Sequence, residues 1–490
     1  MTHGHAARRR RITRSAEAER RRESRMTEQP RIVHLGLGNF HRAHQAVYTA
    51  DAAGQPWRIT AVARSNRQLV ETLKAQNMSY TIVEVGPGAA EPRRMTVIDR
   101  ALVAKDEPAA VRAAIADPEC HVVTLTITEK GYGYKPGSSD LDVEAAGVRE
   151  DAAGLGDADR VPATMLAVLA GGLLDRADSG NPITLVSCDN VGHNGTGLGR
   201  LLRQFAALLP AEQGDKLTAY LDASVSTPNT MVDRIVPATT DKHRDMAAEA
   251  GFEDQIPVPG EPFTMWVLED DFAGPHPDWA SSGAILSDQV DRYELVKLRL
   301  LNAANSMLAY LGLLNGGTFI AEGAVNDAIK AATWQLGEEM QPTITLPDGF
   351  DPIEYRKELF VRFSNLELGH TCQQVGSDGS AKLTQRVPGP VAWHAEHGDP
   401  APKALVLLTA AWLSAVVYAD LPEGNVPDEP ARDLLKQLAE GGVDQLAKAA
   451  LVDHAVLGPQ LAEQTAFVEA VSAQLVALQE KGLAAVLADF

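Results

Sequence analysis

The stretch RIVHLGLGNFHRAHQAVY, residues 31–48, decides the fold of this chain. A short β-rich run, IVHL, meets Gly36 and Gly38, and a helix-compatible segment follows. A strand, a tight glycine turn and a helix start are typical of a dinucleotide-binding βαβ unit, in which the backbone approaches the pyrophosphate at the helix N-terminus. The pattern therefore predicts a dinucleotide site at Gly36, Gly38 and Phe40, although His41 stands where the motif has its third glycine.

The residues after the second strand bear on which dinucleotide is bound. The run WRITAVA, residues 57–63, predicts that strand, and its end is where an Asp or Glu would bind the ribose 2′-hydroxyl. Here the strand is followed by Arg64, Ser65 and Asn66. We expect Arg64 and Ser65 to contact the ribose. Since an arginine is present and an acid is absent, NADP is compatible with this end as well as NAD.

Alternating strands and helices continue after this first unit. β-branched runs predict strands at 80–85, 121–128 and 183–188, and helix-compatible segments lie at 108–115 and 164–174. The alternation runs to about residue 285 and predicts a mostly parallel sheet covered on both faces.

Long amphipathic stretches dominate the chain beyond residue 288. We therefore predict an α/β protein with a Rossmann-type domain, residues 31–287, followed by an all-helical domain, residues 288–490. Residues 1–25 carry nine Arg and three Glu. We therefore predict a disordered basic leader over residues 1–30, and we expect Met26 to be the natural start. The amphipathic stretches are at 321–339, 352–363, 404–417, 431–440, 443–451 and 460–487.

The overall composition limits the function classes. With 490 residues, two domains are expected, and a net charge of −20 argues against nucleic acid as the main partner. The three cysteines lie far apart, which indicates a reducing cytoplasm and offers no metal-site spacing, so no metal is expected. No apolar run is long enough to cross a bilayer, so no membrane partner is expected either.

Polar residues follow the strand predicted at 183–188. The sequence there is DNVGHNG, and the carboxyl ends of parallel strands are where open α/β sheets bind ligands. Asp189, Asn190, His193 and Asn194 are therefore candidate site residues. Each could equally be a turn residue, because Asn and Asp favour turns.

The stretch DQVDRYELVKLRLLNAANSMLAYLGL, residues 288–313, carries the candidate chemistry. On a helical wheel with Lys297 at zero, Glu294 falls at about 60°, Asn305 at about 80° and Asn302 at about 140°. The rest of the circumference is apolar, which predicts a buried helix. A buried lysine has a lowered pKa and is retained where it has a partner or a function. This pattern therefore indicates that Lys297 is a general base. The alternative is that Lys297 extends its charge to water and the amides are satisfied core groups.

These motifs together resemble a known family. GLGNFHRAHQ, TEKGY, SCDNVGHNG, NTMVDRIVP, WVLEDDF, YELVKLRLLNAANSMLAYLG and SDGSAKL occur in the order and spacing of the long-chain polyol dehydrogenases, of the mannitol 2-dehydrogenase and fructuronate reductase type. The resemblance implies a Rossmann-type domain, a helical domain, and metal-independent hydride transfer between a nicotinamide and a polyol or ketose carbon.

The resemblance also implies roles for individual residues. Lys297 matches the general acid/base of the family, and Asn190 and Asn302 match the two amides that polarise the reacting oxygen. Glu294 matches the acid that passes the proton outward. The substrate-binding positions that the resemblance implies are Asp233 and Lys382.

One position departs from the family pattern. The pattern K-x-R-L-L-N-x-x-H-S has histidine where this chain has Asn305. An amide can donate and accept hydrogen bonds but cannot titrate near neutral pH. We therefore expect Asn305 to bind substrate and to alter substrate choice more than reaction class.

Two alternatives compete with this interpretation. Tyr293 and Lys297 form the Y-x-x-x-K pair of the short-chain dehydrogenases, but the pair lies 255 residues after Gly38, beyond the α/β region. A dinucleotide-binding sensor without turnover is the other alternative, and Asn305 is its only support.

The substrate itself is an expectation drawn from the resemblance. We expect the substrate to be a free polyol, with D-mannitol and D-fructose as the polyol and ketose. We expect the protein to be a monomer or a small homo-oligomer. A sugar acid of the fructuronate, mannonate or tagaturonate type is the alternative, and it would require a cation for the carboxylate.

Overall fold

The structure, a computed structural model, describes residues 29–135 and 138–490, which form two compact units. The first unit contains the described residues up to Glu84 together with Ala90–Val290. The second contains Val85–Ala89 and Asp291–Phe490. The leader predicted for residues 1–30 lies outside the described residues except for its last two positions.

The first unit is built on parallel β-strands, as predicted. Its main sheet has the order β5-β2-β1-β6-β7-β8, and every adjacent pair in it is parallel. This is the strand order of a doubly wound dinucleotide-binding fold. Successive strands are added towards one edge of the sheet up to β5 and towards the other edge from β6 onward, so the switch point lies between β1 and β6. The strands of the unit are β1 (Arg31–Leu35), β2 (Arg58–Ala63), β3 (Tyr80–Glu84), β4 (Arg93–Met95), β5 (Ile98–Val103), β6 (Cys120–Leu125), β7 (Ile183–Ser187), β8 (Val225–Ser226), β9 (Thr230–Asp233), β10 (Val258–Gly260), β11 (Met265–Leu268) and β12 (Ile285–Leu286).

Both faces of the main sheet are covered, which explains its β-branched strands. Val33 and Leu35 lie in a core formed with the helices Met165–Arg176 and Asn194–Ala206. Ile32 belongs to a second core on the opposite face. Alternate residues of β1 therefore serve different cores, as the two-residue period of a strand requires.

Two strand predictions need correction. The run at 80–85 forms a strand, but β3 lies outside the main sheet, in a small sheet of order β10-β3-β4. The strand at 121–128 ends at Leu125, because the following backbone turns at the sheet edge. The third strand of the main sheet is instead β5, whose sequence IDRALV lacks an obvious β-rich run. Strands β9 and β11, within NTMVDRIVP and WVLEDDF, pair antiparallel in a further small sheet of order β12-β11-β9.

Helices fill the connections of the first unit. Two of them agree closely with the predictions at 108–115 and 164–174. The α-helices are Asn39–Ala43, Gln45–Asp51, Arg67–Ala75, Pro108–Ala116, Glu129–Tyr132, Val148–Gly154, Met165–Arg176, Asn194–Ala206, Ala211–Ser224 and Asp241–Glu249, and Trp279–Ser282 forms a 3₁₀ turn.

The second unit is helical in its described residues, as predicted. Ala303–Leu314 and Lys403–Val417 are apolar on nearly all sides and lie at its centre, because such helices cannot face water. Its α-helices are Val290–Val296, Ala303–Leu314, Ile320–Ala324, Asp327–Met340, Pro352–Phe363, Cys372–Gly376, Gly379–Arg386, Pro388–Glu396, Lys403–Val417, Arg432–Ala439, Val443–Lys448, Thr465–Lys481 and Leu483–Leu487.

Several helices predicted as continuous are interrupted. The stretch 321–339 is two helices, since Asn326 caps a new one through the N–H groups of Ala328 and Ile329. The stretch 460–487 begins as a 3₁₀ turn and breaks again at Gly482, whose φ is 79°. No helix among the described residues has the length and apolar character needed to span a membrane.

Candidate active site

The glycine turn of the first unit has the geometry of a dinucleotide-binding loop. Gly36 has φ of 109°, and a Cβ there would lie 2.6 Å from the carbonyl carbon of Thr126. Gly38 differs, because a Cβ there would meet only the Gly36 carbonyl oxygen, at 3.7 Å. Gly36 is thus required by close packing inside the protein, whereas Gly38 leaves open space at the start of the helix Asn39–Ala43. That space fits the pyrophosphate of a dinucleotide.

His41 fills the position of the third glycine by stacking on another histidine. The His34 and His41 rings lie 3.3 Å apart at their centroids, nearly parallel, and both side chains are fully buried. The ring nitrogens of His34 bond the hydroxyls of Thr124 and Thr126 at 2.8 and 3.0 Å. Burial lowers the pKa of His34 to about 3 and that of His41 well below its usual value, so both are neutral at pH 7. Sequence reasoning treated His41 only as a missing glycine.

The candidate ribose contacts lie at the exposed end of β2. Arg64 and Ser65 are both exposed, and Phe40 is half-buried with its ring stacked 5.0 Å from His44. The Arg64 guanidinium donates to the carbonyl oxygen of Ala163. Asn66 accepts the N–H of Leu69 at 3.1 Å and caps the helix that follows.

Asp189 joins the ends of β6 and β7. Its carboxylate accepts the N–H groups of Ile127 and Thr128, at 2.8 and 2.9 Å, and the Tyr132 hydroxyl at 2.8 Å. Burial raises the pKa of Asp189, which these hydrogen bonds oppose. Asp189 therefore holds the TEKGY turn beside β7, and its oxygens are engaged within the protein. It is a structural residue in this unit.

Asn194 is also structural. It is buried, and its amide donates to the carbonyl oxygens of Ser187 and Thr230 while accepting the Thr230 N–H at 2.9 Å. Asn190 and His193 are instead exposed in the same loop. Of the four candidates after β7, these two are the exposed ones.

Asp233 ends β9 and is buried. The next residue, Arg234, donates to the carbonyl oxygens of Glu261 and Ala43 and to the Glu84 carboxylate at 2.9 Å. The arginine of V-D-R-I is therefore a scaffold residue that fixes the backbone beside Asp233.

The helix predicted over residues 288–313 contains a π turn at Lys297–Asn302. The N–H of Ala303 donates to the carbonyl oxygen of Leu298, an i→i+5 bond that replaces the α-helical i→i+4 bond. Single π turns inside α-helices occur frequently at functional sites. Lys297 is 9% exposed and Asn302 is half-buried.

The π turn changes the wheel predicted for this helix. One additional residue in the turn shifts every later position back by about 100°. Asn302 moves from near 140° to about 40°, and Asn305 from near 80° to about −20°, relative to Lys297. With Glu294 near 60°, the four polar residues span about 80° rather than about 140°. A wheel corrected for the π turn therefore puts these residues on a narrower face than a regular α-helix would.

The remaining candidates on this helix differ in burial. Glu294 is half-buried. Asn305 is 9% exposed, and its Oδ1 has no hydrogen-bond partner among the described residues. The ring of Tyr293 lies edge-on to that of Phe350, with the ring centroids 6.0 Å apart. This contact gives Tyr293 a packing role that does not depend on the short-chain mechanism.

The D-G-S-x-K element is held by a buried carboxylate. Glu429 accepts the N–H and the hydroxyl of Ser380, at 2.9 and 2.6 Å. Gly379 has no room for a side chain, since a Cβ would lie 2.6 Å from Trp412 Nε1. Half-buried Lys382 donates to the Val375 carbonyl oxygen at 3.1 Å.

Lys382 lies near one arginine and two carboxylates. Burial, and then the positive charge of Arg386 one turn later on the same helix, lower the pKa of Lys382, while Asp378 and Glu429 oppose the shift. Arg386 was missed by sequence reasoning, because an arginine at a helix end is usually solvated. In the described part of the chain, no group of three or more His, Cys, Asp or Glu side chains is arranged to hold a metal.

Comparison with known proteins covers both units. The family model described as the mannitol dehydrogenase Rossmann domain matches residues 30–281, and that of the mannitol dehydrogenase C-terminal domain matches residues 289–479. D-mannonate oxidoreductase of Escherichia coli is 36% identical over 467 residues, which cover 92% of this chain and 94% of that protein. Mannitol dehydrogenase DSF1 of Saccharomyces cerevisiae is 33% identical over 463 residues, covering 92% and 90%. Among solved structures, the ternary complex of Pseudomonas fluorescens mannitol 2-dehydrogenase with NAD and D-mannitol has a TM-score of 0.79 and 30% identity, covering 94% of each chain.

Proposed function

The chain belongs to the mannitol dehydrogenase family, and from this premise we propose that it is an NAD-dependent dehydrogenase of a polyol and its ketose, with D-mannitol and D-fructose as substrates. The observation that carries the reaction class is the buried amine of Lys297 at the start of a π turn. An amine in that setting is suited to proton transfer, because lysine is one of the side chains that act as general acid or base in enclosed sites.

In this proposal, Lys297 is the general acid/base. Neutral Lys297 removes the proton of the reacting hydroxyl when the polyol is oxidised, and the ammonium returns it to the carbonyl oxygen when the ketose is reduced. Glu294 precedes Lys297 by nearly one helical turn, and its half-buried carboxylate would pass the proton outward. The proton therefore moves between substrate, amine, carboxylate and water.

Asn190 and Asn302 are the proposed donors to the reacting oxygen. Negative charge grows on that oxygen as the ketose is reduced, and side-chain N–H groups held in place stabilise it. Each such donor contributes roughly 3 kcal/mol to transition-state stability in other enzymes. The π turn supports this role for Asn302, since an i→i+5 turn brings it towards the face of Lys297.

The first unit would hold NAD at its glycine turn. Gly38 would admit the pyrophosphate, Gly36 would shape the turn, and Phe40 would lie beside the dinucleotide. Arg64 and Ser65 would contact the ribose, and their positions are compatible with NADP as well. NAD, when bound, supplies the acceptor and donor of the hydride.

Asn305 is a proposed contact for a substrate hydroxyl. Its buried Oδ1 has no partner among the described residues, and an unpaired buried acceptor is costly. A substrate hydroxyl, which polyols and sugar acids both carry, can donate to this oxygen. Asp233 and Lys382 are the further proposed substrate contacts. A sugar acid is the second candidate, supported by the D-mannonate oxidoreductase relative and by the neighbouring cations Lys382 and Arg386.

A substrate panel tests the proposed function. NADH and NADPH oxidation would be followed with fructose, fructuronate, tagaturonate and xylulose, for the natural protein and for Lys297→Met. We expect turnover with fructose and a loss of roughly 1,000-fold or more in kcat for Lys297→Met, the scale of a lost acid/base group. Lys357→Met, at an exposed lysine of the same unit, is the matched control and should keep full activity.

Other outcomes identify the alternatives. Preference for fructuronate or tagaturonate would select the sugar-acid function. Dinucleotide binding without turnover on any substrate would select the sensor. A loss in Tyr293→Phe as large as in Lys297→Met would restore the short-chain mechanism.

A further inference from the structure

Arg386 is a half-buried cation that contacts the π turn. Its Nη1 donates to the carbonyl oxygen of Asn302 at 3.0 Å and also to the hydroxyl of Ser306. Its Nε is buried without a hydrogen-bond partner, and no carboxylate among the described residues forms an ion pair with it. Burial lowers the pKa of Arg386 to about 10. The known partners of this guanidinium are therefore two neutral oxygens of the helix that carries Lys297.

This arrangement costs free energy, which suggests that the contact of Arg386 with the π turn has a function. Partial withdrawal of a charge from water without a counter-charge costs free energy, and a half-buried guanidinium is normally paired with a carboxylate. Its contacts fall at the last residue of the π turn and four residues later. A side chain that inserts into a helix's hydrogen-bond ladder is one of the few causes of helix irregularity, so Arg386 lies where it can stabilise the turn.

We propose that Arg386 is a positioning residue, which holds Asn302 in the π turn through its carbonyl oxygen and so fixes the side chains of Lys297 and Asn302 on one face. The inference rests on the function proposed above. Arg386 also ends the helix that carries Lys382, so one rigid element would align the acid/base helix with a substrate contact. The geometry matters because a displacement of about 1 Å can cost roughly 100-fold in rate.

The test compares Arg386→Gln, Arg386→Lys and Ser306→Ala with a matched control. Arg432→Gln removes a similar contact elsewhere in the unit, where Arg432 donates to the carbonyl oxygens of Val416 and Pro427 at 2.8 and 2.7 Å. Steady-state kinetics with the substrate found in the panel, NADH affinity, thermal midpoint and amide hydrogen exchange over residues 297–306 would be measured for each.

We expect Arg386→Gln to lower kcat by roughly 100-fold with KM and NADH affinity changed less than about threefold, and to speed exchange in residues 297–306. Arg386→Lys should recover part of kcat, because an ammonium can still donate to one oxygen. Ser306→Ala, which keeps the carbonyl contact, should be milder. Arg432→Gln should leave kcat unchanged.

Two results would overturn the inference. One is near-normal kcat in Arg386→Gln, with unchanged exchange. The other is an equal loss of kcat and thermal midpoint in Arg386→Gln and Arg432→Gln, which would make the residue merely structural. Lys297→Met in the same assay separates the hypotheses. If it is active, the proposed function fails, whereas if it is inactive while Arg386→Gln is active, only the positioning role fails.

Discussion

Two glycines only two residues apart have different reasons to be glycine. At Gly36 a side chain would collide with the backbone of Thr126, and the positive φ is unfavourable for other residues. At Gly38 the backbone is extended and no protein atom is close enough to exclude a methyl group. The first glycine serves the fold, and the second leaves space for a ligand.

This difference predicts opposite effects of the same substitution. Gly36→Ala should lower the free energy of unfolding by roughly 3 kcal/mol, from strain and overlap with a rigid backbone. Gly38→Ala should leave the thermal midpoint within about 2 °C and weaken NADH binding at least about tenfold, because the methyl group occupies the space of the pyrophosphate. Thermal unfolding and NADH fluorescence titration measure both. Unchanged NADH affinity in a folded Gly38→Ala protein would contradict the cofactor site.

Residue type alone did not separate catalytic from structural candidates after β7. Asp189, Asn190 and Asn194 are all polar residues of one turn. Asp189 is bonded by the segment that follows β6, and Asn194 is bonded by Thr230 of β9, and both partners are distant in sequence. Their structural role could therefore not be predicted from the local sequence.

At the scale of elements, the π turn is the main departure from prediction. A wheel drawn at constant angle identified the buried helix and its polar residues, but not their alignment. Two hydrogen bonds join this segment to distant elements: Arg299, which lies within it, donates to the Thr343 hydroxyl at 2.6 Å, and Arg386 donates to the Asn302 carbonyl oxygen. Because these contacts come from elements more than 40 residues away, the irregularity is a tertiary property.

The helix Gly379–Arg386 provides a prediction at the same scale. Gly379→Ala should lower the free energy of unfolding of the protein by about 1–3 kcal/mol, because the methyl group would overpack against Trp412 and Glu429. The helix would also shift, and kcat should fall with it. Denaturant unfolding and kinetics measure the two effects.

The control for this substitution is Gly424→Ala. No atom lies within 4 Å of the position of its added Cβ, so stability and activity should be unchanged. Equal behaviour of the two variants would show that the start of the Gly379–Arg386 helix is not tightly packed.

At the scale of the whole molecule, the buried histidine pair predicts a loss of stability in acid. The folded protein keeps His34 neutral down to a pKa of about 3, whereas the unfolded chain binds a proton near 6.5. The unfolded state therefore binds more protons between these values, and stability falls as pH decreases through that window. The slope from one such residue is up to about 1.4 kcal/mol per pH unit.

Urea unfolding at pH 7.5 and pH 5 measures this effect. The natural protein should lose more stability between the two than His34→Gln, whose amide can still bond the threonine hydroxyls. His397→Gln, at an exposed histidine of the second unit, should behave as the natural protein does. An identical acid sensitivity in His34→Gln would show that His34 does not carry the effect.

The amino-acid sequence by itself determined the class of each unit, the glycine turn and the helix that bears Lys297, because period, turn residues and apolar runs are local properties. Only the tertiary structure decided which strands share the main sheet, how Asp189 and Asn194 are hydrogen-bonded, and where the helix that bears Lys297 contains a π turn. These depend on partners far away in the chain, such as Asp189 for the turn after β6 and Arg386 for the π turn. A pattern within one segment cannot specify the distant group that completes its hydrogen bonds.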